Sequence, residues 1–346
     1  MLLFHNDYNE TCHPAVLEAM CCLQGRQMAG YGMDECCANA AVLIRKKCAD
    51  ESLAVHFLSG GTQTNLTVIA AALRPHQAVL CAVGGHVNVH ETGAIEATGH
   101  KVIGLPSPDA RLTAEQIARA AQDHWQDENH EHIPQPKLVY ISHPSEYGTT
   151  YTLDELEAIS RVCRENKLYL FLDGARLGYG LAAAGSDVTL ADLARLTDVF
   201  YIGGTKVGAM FGEAVVIKNP AIAEDFRYLI KQRGGMLAKG WLLGAQFEAL
   251  FEDDLYLRIA AHADSLADRL RSTLQELGYP MPVVSATNQV FVTLPDGILE
   301  QLAKAFTFAL WEKASPGQST VRFCTSWATT PESVERLCQV LRDLSK

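Results

Sequence analysis

The stretches LYLFLDGARLG (168–178) and VFYIGGTKVGAMFGE (199–213) decide the fold. Each opens on an apolar run of strand length and then breaks into glycine-rich text carrying an ionisable residue, Asp173 in the first and Lys206 in the second. Outward from them, similar runs recur at AVHFLS (54–59), AVLCAV (78–83), HKVIGL (100–105), KLVYIS (137–142) and EAVVIK (213–218). Helix-like segments at 62–73, 113–127 and 152–166 lie between them. Unbroken apolar strands alternating with amphipathic helices predict a mostly parallel sheet covered on both faces, hence a large α/β domain. Thr113 with Gln116, and Thr152 with Asp154 and Glu155, read as helix N-caps.

After about residue 240 the pattern changes to a long helical stretch (241–276), a strand pair near 289–294 and 320–325, and helices near 297–309 and 330–344. The expectation is a large domain over 1–240 and a smaller α+β domain over 241–346. The polar, proline-ended segment HWQDENHEHIPQP (124–136) reads as a solvated loop rather than a metal site.

A chain of 346 residues that is 48% hydrophobic is long enough for two such bodies. Its net charge of −11 lacks the local excess of Lys and Arg that nucleic acid or an anionic membrane surface requires. Ten cysteines are scattered through apolar text, and the pairs Cys21-Cys22 and Cys36-Cys37 lack C-x-x-C spacing. Reduced thiols and no bound metal are therefore expected. No segment reaches transmembrane length and the start, MLLFHNDYNE, has no long apolar core, so a cytoplasmic location is expected.

Three features stand at the ends of the expected strands, where open α/β sheets bind their ligands. SGGTQTN (59–65) places Gly60 and Gly61 between a strand and a helix, so that backbone N–H groups at the helix start suit a phosphate. Asp173 ends a fully apolar strand. A carboxylate there wants a cation, either a protonated ring nitrogen whose charge it maintains or the guanidinium of Arg176. Lys206 sits among glycines and small residues, a partly desolvated setting that suits a Schiff-base amine, though a loop lysine reaching solvent fits the same text. The order of phosphate turn, strand-ending Asp and Lys 33 positions further on matches a pyridoxal 5′-phosphate (PLP) site on an α/β sheet.

On these residues, together with FHNDYNETCHPAVLEAM (4–20), YGMDE (31–35), GGHVNVHETGA (84–94) and VRFCTSWATT (321–330), the chain resembles the L-threonine aldolases. These are fold-type-I PLP enzymes of the aromatic amino acid β-eliminating lyase/threonine aldolase superfamily. The resemblance implies an aspartate-aminotransferase-like fold, a PLP cofactor, and retro-aldol cleavage of a β-hydroxy-α-amino acid to glycine and an aldehyde. It further implies Lys206 as the Schiff-base lysine, Asp173 on the pyridine nitrogen and Gly60, Gly61 and Thr62 around the phosphate. His86 would stack on the cofactor and act as or position the base, with Arg176 and Arg322 on the substrate carboxylate. His143 is a candidate second catalytic histidine. Asn6 and His90 stand where family members often carry serine and an aromatic, and with Tyr31 are expected to shape the substrate pocket. Glu91 either orients His86 or His90 or is solvated. A homodimer or homotetramer is implied as well. The alternatives are a related PLP lyase, acting on phenylserine or by β-elimination, and a catalytically silent binder of a phosphorylated ligand.

Overall fold

The computed structural model describes all 346 residues. Its strands, in chain order, are β1 (Leu2–Leu3), β2 (Ala54–Leu58), β3 (Gln77–Ala82), β4 (Lys101–Leu105), β5 (Gln135–Ser142), β6 (Tyr169–Asp173), β7 (Val199–Gly203), β8 (Glu213–Ile217), β9 (Gln289–Pro295), β10 (Phe306–Thr307), β11 (Ala309–Ser315) and β12 (Gln318–Cys324). All seven runs read as strands between 54 and 218 join one sheet, in the order β2-β8-β7-β6-β5-β3-β4. It is mostly parallel, with β8 antiparallel to both β7 and β2. The return through 204–212 is too short for the crossover that parallel neighbours need, which makes β8 run backwards.

The apolar runs divide residue by residue between two hydrophobic layers, as the two-residue period of a strand requires. Val139, Ile141, Leu170, Leu172, Phe200 and Ile202 face one layer, together with Leu156, Ile159 and Cys163 of the helix Leu153–Glu165. Leu138, Tyr140, Phe171, Val199 and Tyr201 face the other, with Val68 and Ile69 of the helix Gly61–Ala72. Thr113 and Thr152 both form complete capping boxes, Thr113 with Gln116 and Thr152 with Glu155.

Strand register then collects the chemistry on one edge. Ser142 is paired with Asp173. Glu213 lies opposite both Gly203 and Leu58, so the turns after β2 and β7 meet there as well.

Two corrections arise in the C-terminal part. The expected continuous helix 241–276 is two helices, Trp241–Phe251 and Leu255–Glu276, broken at Glu252–Asp254. Asp253 and Asp254 take φ of 49° and 57°. Aspartate tolerates this left-handed region better than most residues. The helix expected over 297–309 stops at Leu302, and the text beyond it supplies β10 and β11. FTFALW is aromatic and pleat-compatible, so local helix periodicity loses to pairing with β12. The helix Trp241–Phe251 packs on the helices Pro14–Cys21 and Glu35–Cys48, whereas β1 pairs with β10 and Phe4 joins the core of the antiparallel sheet β11-β12-β9.

Candidate active site

The turn after β2 starts the helix Gly61–Ala72 from Gly60, and no side chain caps it. Thr64 N–H bonds Gly60 O at 3.0 Å, leaving the N–H groups of Gly61 and Thr62 for a ligand. One turn further along, Asn65 falls on the same helix face as Gly61. Gly61 and Asn65 accordingly line one cavity of about 370 Å³, along with Gly60, Thr62, His86, Asp173, Arg176 and Lys206.

Asp173, at the end of β6, is buried, and its oxygens accept from the Ala175 N–H (2.9 Å), Asn65 Nδ2 (3.1 Å) and Tyr140 OH (2.5 Å). A carboxylate with three donors is fixed in rotamer and presents a defined anion to the cavity. The glycines beside it permit close backbone approach. A Cβ on Gly174 would fall 1.9 Å from Tyr201 O, and one on Gly203 would fall 2.3 Å from Ala175 O.

Lys206 leaves the β7–β8 return half-buried. Burial and the neighbouring Arg176 push its ammonium pKa down, with Asp7, Asp173 and Glu213 opposing them. Glu213 is buried beside it, bonded to Gly204 N–H (3.0 Å) and Thr205 Oγ1 (2.9 Å), and burial raises its carboxyl pKa to about 8. An amine that sheds its proton more easily than usual is the form a nucleophile needs.

His86 opens the short helix His86–Val89. Its Nδ1 lies 2.8 Å from Glu91 Oε1, and its backbone N–H donates to Glu146 Oε1 at 2.7 Å. Glu91 is buried on this contact, so of its two expected roles the orienting one holds. An ionised carboxylate only accepts, so Nδ1 carries the hydrogen and Nε2 stays free.

Arg176 lines the cavity, but its fork is taken by Asp7, with Nε to Oδ2 at 2.7 Å and Nη2 to Oδ1 at 3.0 Å. Asn288 adds a third bond to Asp7 Oδ2 at 2.9 Å. Burial pushes the Asp7 carboxyl up, but Arg176 and Lys206 outweigh it and hold the group at about 2. Arg176, one of the two cations expected for Asp173, pairs with Asp7 instead.

Five expected site residues stand outside the cavity lining. His143 is wholly buried and turned inward. Its ring stacks on Tyr151 with centroids 6.3 Å apart, and a Cβ on Gly180 would meet the ring at 3.0 Å. Burial lowers its pKa to about 4, so it stays neutral. Asn6 spends Oδ1 on the Tyr8 N–H (3.1 Å), and it is Tyr8 that lines the cavity. His90 is exposed, its ring 5.6 Å from that of His86. Arg322, on β12, is bonded to Gln289 Oε1 (3.0 Å) and His5 O (3.3 Å) and lies 5.6 Å from the Trp311 ring centroid. Tyr31 borders a separate cavity with Met33 and Arg227.

Sequence reading missed Asp7, Asn65, Glu146 and Glu213. Glu213 had a readable signal, an acid opening an apolar strand, as Asp173 ends one. Asp7 had none, since its partner is 169 residues away.

The family model for β-eliminating lyases matches residues 11–296. The chain is 32% identical to the low specificity L-threonine aldolase of Pseudomonas aeruginosa, over 97% of this chain and 96% of that protein. A solved Leishmania major threonine aldolase is 47% identical, covers 100% of both chains and superposes with a TM-score of 0.97. An aspartate aminotransferase from Thermus thermophilus superposes with a TM-score of 0.73 over 99% of this chain and 91% of its own, at 18% identity. That likeness concerns the fold alone, and the fold is the type-I PLP-enzyme fold expected from the sequence.

Proposed function

The chain belongs to the β-eliminating lyase family and is a lyase, and from that premise we propose that it is a PLP-dependent L-threonine aldolase, cleaving L-threonine, L-allo-threonine or a related β-hydroxy-α-amino acid to glycine and an aldehyde. One observation carries the reading: a half-buried amine with a lowered pKa, a buried carboxylate with three donors and an uncapped helix start share one cavity.

These residues fit the cofactor. The uncapped N–H groups of Gly61 and Thr62, beside Gly60, suit its phosphate, and Asp173 suits its protonated ring nitrogen. Once bound, PLP supplies a carbonyl for amines and an electron sink for the pair released on Cα–Cβ cleavage.

Lys206 would provide the amine that holds the cofactor. Asp173, its rotamer set by Tyr140 and Ala175, would keep a proton on the ring nitrogen. His86, which lines the cavity with its ring held through Nδ1, would stack on the cofactor. Arg176 offers the substrate carboxylate its remaining Nη1, because Asp7 occupies the rest of the fork. Arg322, on β12 outside the cavity lining, would have to leave Gln289 and His5 to join Arg176 on the same carboxylate, and His90 and Asn6 also lie outside that lining.

No helix is long and apolar enough to cross a membrane. Cytoplasmic action as a homodimer or homotetramer is part of the proposal, supported by the likeness to the aldolases and tested by light scattering.

The test of function is the absorbance of purified protein before and after borohydride, beside Lys206→Ala, with aldehyde and glycine assayed on L-threonine, L-allo-threonine and phenylserine. A borohydride-trapped chromophore on Lys206 with equal yields of glycine and aldehyde is expected. Ammonia and a keto acid would mean β-elimination, and protein that PLP cannot reconstitute would sink the proposal.

A further inference from the structure

Asn65 is the residue whose contacts join the two halves of the site. Its Nδ2 lies 2.7 Å from Glu91 Oε1 and 3.1 Å from Asp173 Oδ2. Two ionised carboxylates can only accept, so the NH2 group faces both and spends one hydrogen on each. Oδ1 is left buried and unpaired, so the side chain is oriented by the two acids and not by its own oxygen. Glu91 Oε1 receives a second hydrogen bond from His86 Nδ1, and Glu91 Oε2 has no partner. Asn65 therefore supplies one of the two donors on Glu91 but only one of the three on Asp173, which keeps Tyr140 and Ala175.

Tertiary placement makes the bridge possible. The helix Gly61–Ala72 carries Asn65 one turn behind the N–H groups at its start, and Asp173 ends β6, 108 residues away in sequence. Glu91 follows the short His86–Val89 helix, where Thr92 and Gly93 turn the chain at φ of 53° and 72°.

We propose that Asn65 is a positioning residue whose single amide nitrogen clamps Glu91 and Asp173 together, and that Glu91 passes this constraint to His86, so that the anion for the cofactor's ring nitrogen and the histidine covering the ring are set as one unit. The inference rests on the PLP reading above. Removing the amide leaves Glu91 with His86 as its sole partner, free to rotate and take the imidazole with it. The His86 arm loses more than the Asp173 arm.

The test compares wild type with Asn65→Ala, Asn65→Asp and Glu91→Gln. In cofactor-free protein, 15N NMR of the His86 imidazole reads its tautomer; in the holoenzyme, absorbance titration reads the PLP dissociation constant and threonine kinetics separate kcat from KM. Wild type is expected to show a single Nδ1–H tautomer of His86. Asn65→Ala is expected to mix the tautomers, to weaken PLP binding by about 10-fold or more, and to lower kcat with KM nearly unchanged. Asn65→Asp, which replaces both donors by a third acid, does the same or worse. Glu91→Gln reads the coupling from the other end by disturbing PLP binding through His86, and keeps the test available if the Asn65 variants fold poorly. Unchanged His86 signals in Asn65→Ala, or a PLP dissociation constant within about 2-fold of wild type, would overturn the proposal. The tautomer and PLP readouts need no threonine cleavage, so a coupled site in a protein that cleaves nothing upholds the clamp and rejects the aldolase.

Discussion

Asp7→Asn probes the best-built ion pair in the molecule. Asp7 is wholly buried and binds the Arg176 guanidinium through both oxygens while also accepting from Asn288. Its carboxyl falls from the ordinary 3.8 to about 2, and at about 1.4 kcal/mol for each tenfold this corresponds to roughly 2–3 kcal/mol. An asparagine amide would also turn N–H groups toward Arg176 or Asn288, adding to the loss. Breaking a buried pair by removing one partner costs about 3–5 kcal/mol. The sign follows from the depressed pKa: the stabilisation is complete above pH 3.8 and is lost as pH falls through 2. Urea unfolding of cofactor-free protein, which removes stabilisation by ligand, should therefore show Asp7→Asn destabilised by roughly 3 kcal/mol at pH 7. The gap should narrow below pH 4. A variant within about 1 kcal/mol of wild type at pH 7 would show that the pair behaves like a solvated one and that the burial argument is wrong.

Three further outcomes follow from the same geometry. His143→Asn should leave kcat of the folded enzyme within about 3-fold of wild type, whereas a group transferring protons contributes about 100-fold or more. Its pKa, lowered from 6.5 to about 4, costs the wild type stability as pH falls through that window, so thermal melts of the variant should be flatter there. Asp264 is buried with neither oxygen paired, and burial first, then Asp268, raises its pKa from 3.8 to about 9. The folded state therefore loses stability as pH rises from 3.8 to 9, and Asp264→Asn should stabilise by roughly 2 kcal/mol at pH 8 and by much less at pH 5. Equal melting gains at both pH values would contradict this. Gly148 has φ +72°, and a Cβ would lie 2.3 Å from Ser285 Oγ. Gly148→Ala should lower stability by roughly 2–4 kcal/mol in a denaturant titration and disturb the neighbouring 142–146 segment, which lines the cavity; an unchanged midpoint would refute the clash.

The sequence by itself determined the sheet and the centre of the site. Unbroken apolar runs specify strands buried on both faces, and LDGAR, GGTK and SGGTQTN are local texts whose glycines mark where the backbone must pass closely or expose N–H groups. Thr113 and Thr152 cap helices through residues three positions away, which is why those starts were legible. Only the tertiary structure decided the partners of the charged groups. Asp7 meets Arg176 across 169 residues and Asn65 meets Asp173 across 108, and no local pattern encodes such pairs. It also turned His143 inward against Tyr151 and Gly180, ended a helix at Leu302 so that β11 could pair with β12, and broke another at Asp253. In each case the deciding free energy lies in burial and long-range hydrogen bonding, which outweigh propensities worth well under about 1 kcal/mol per residue.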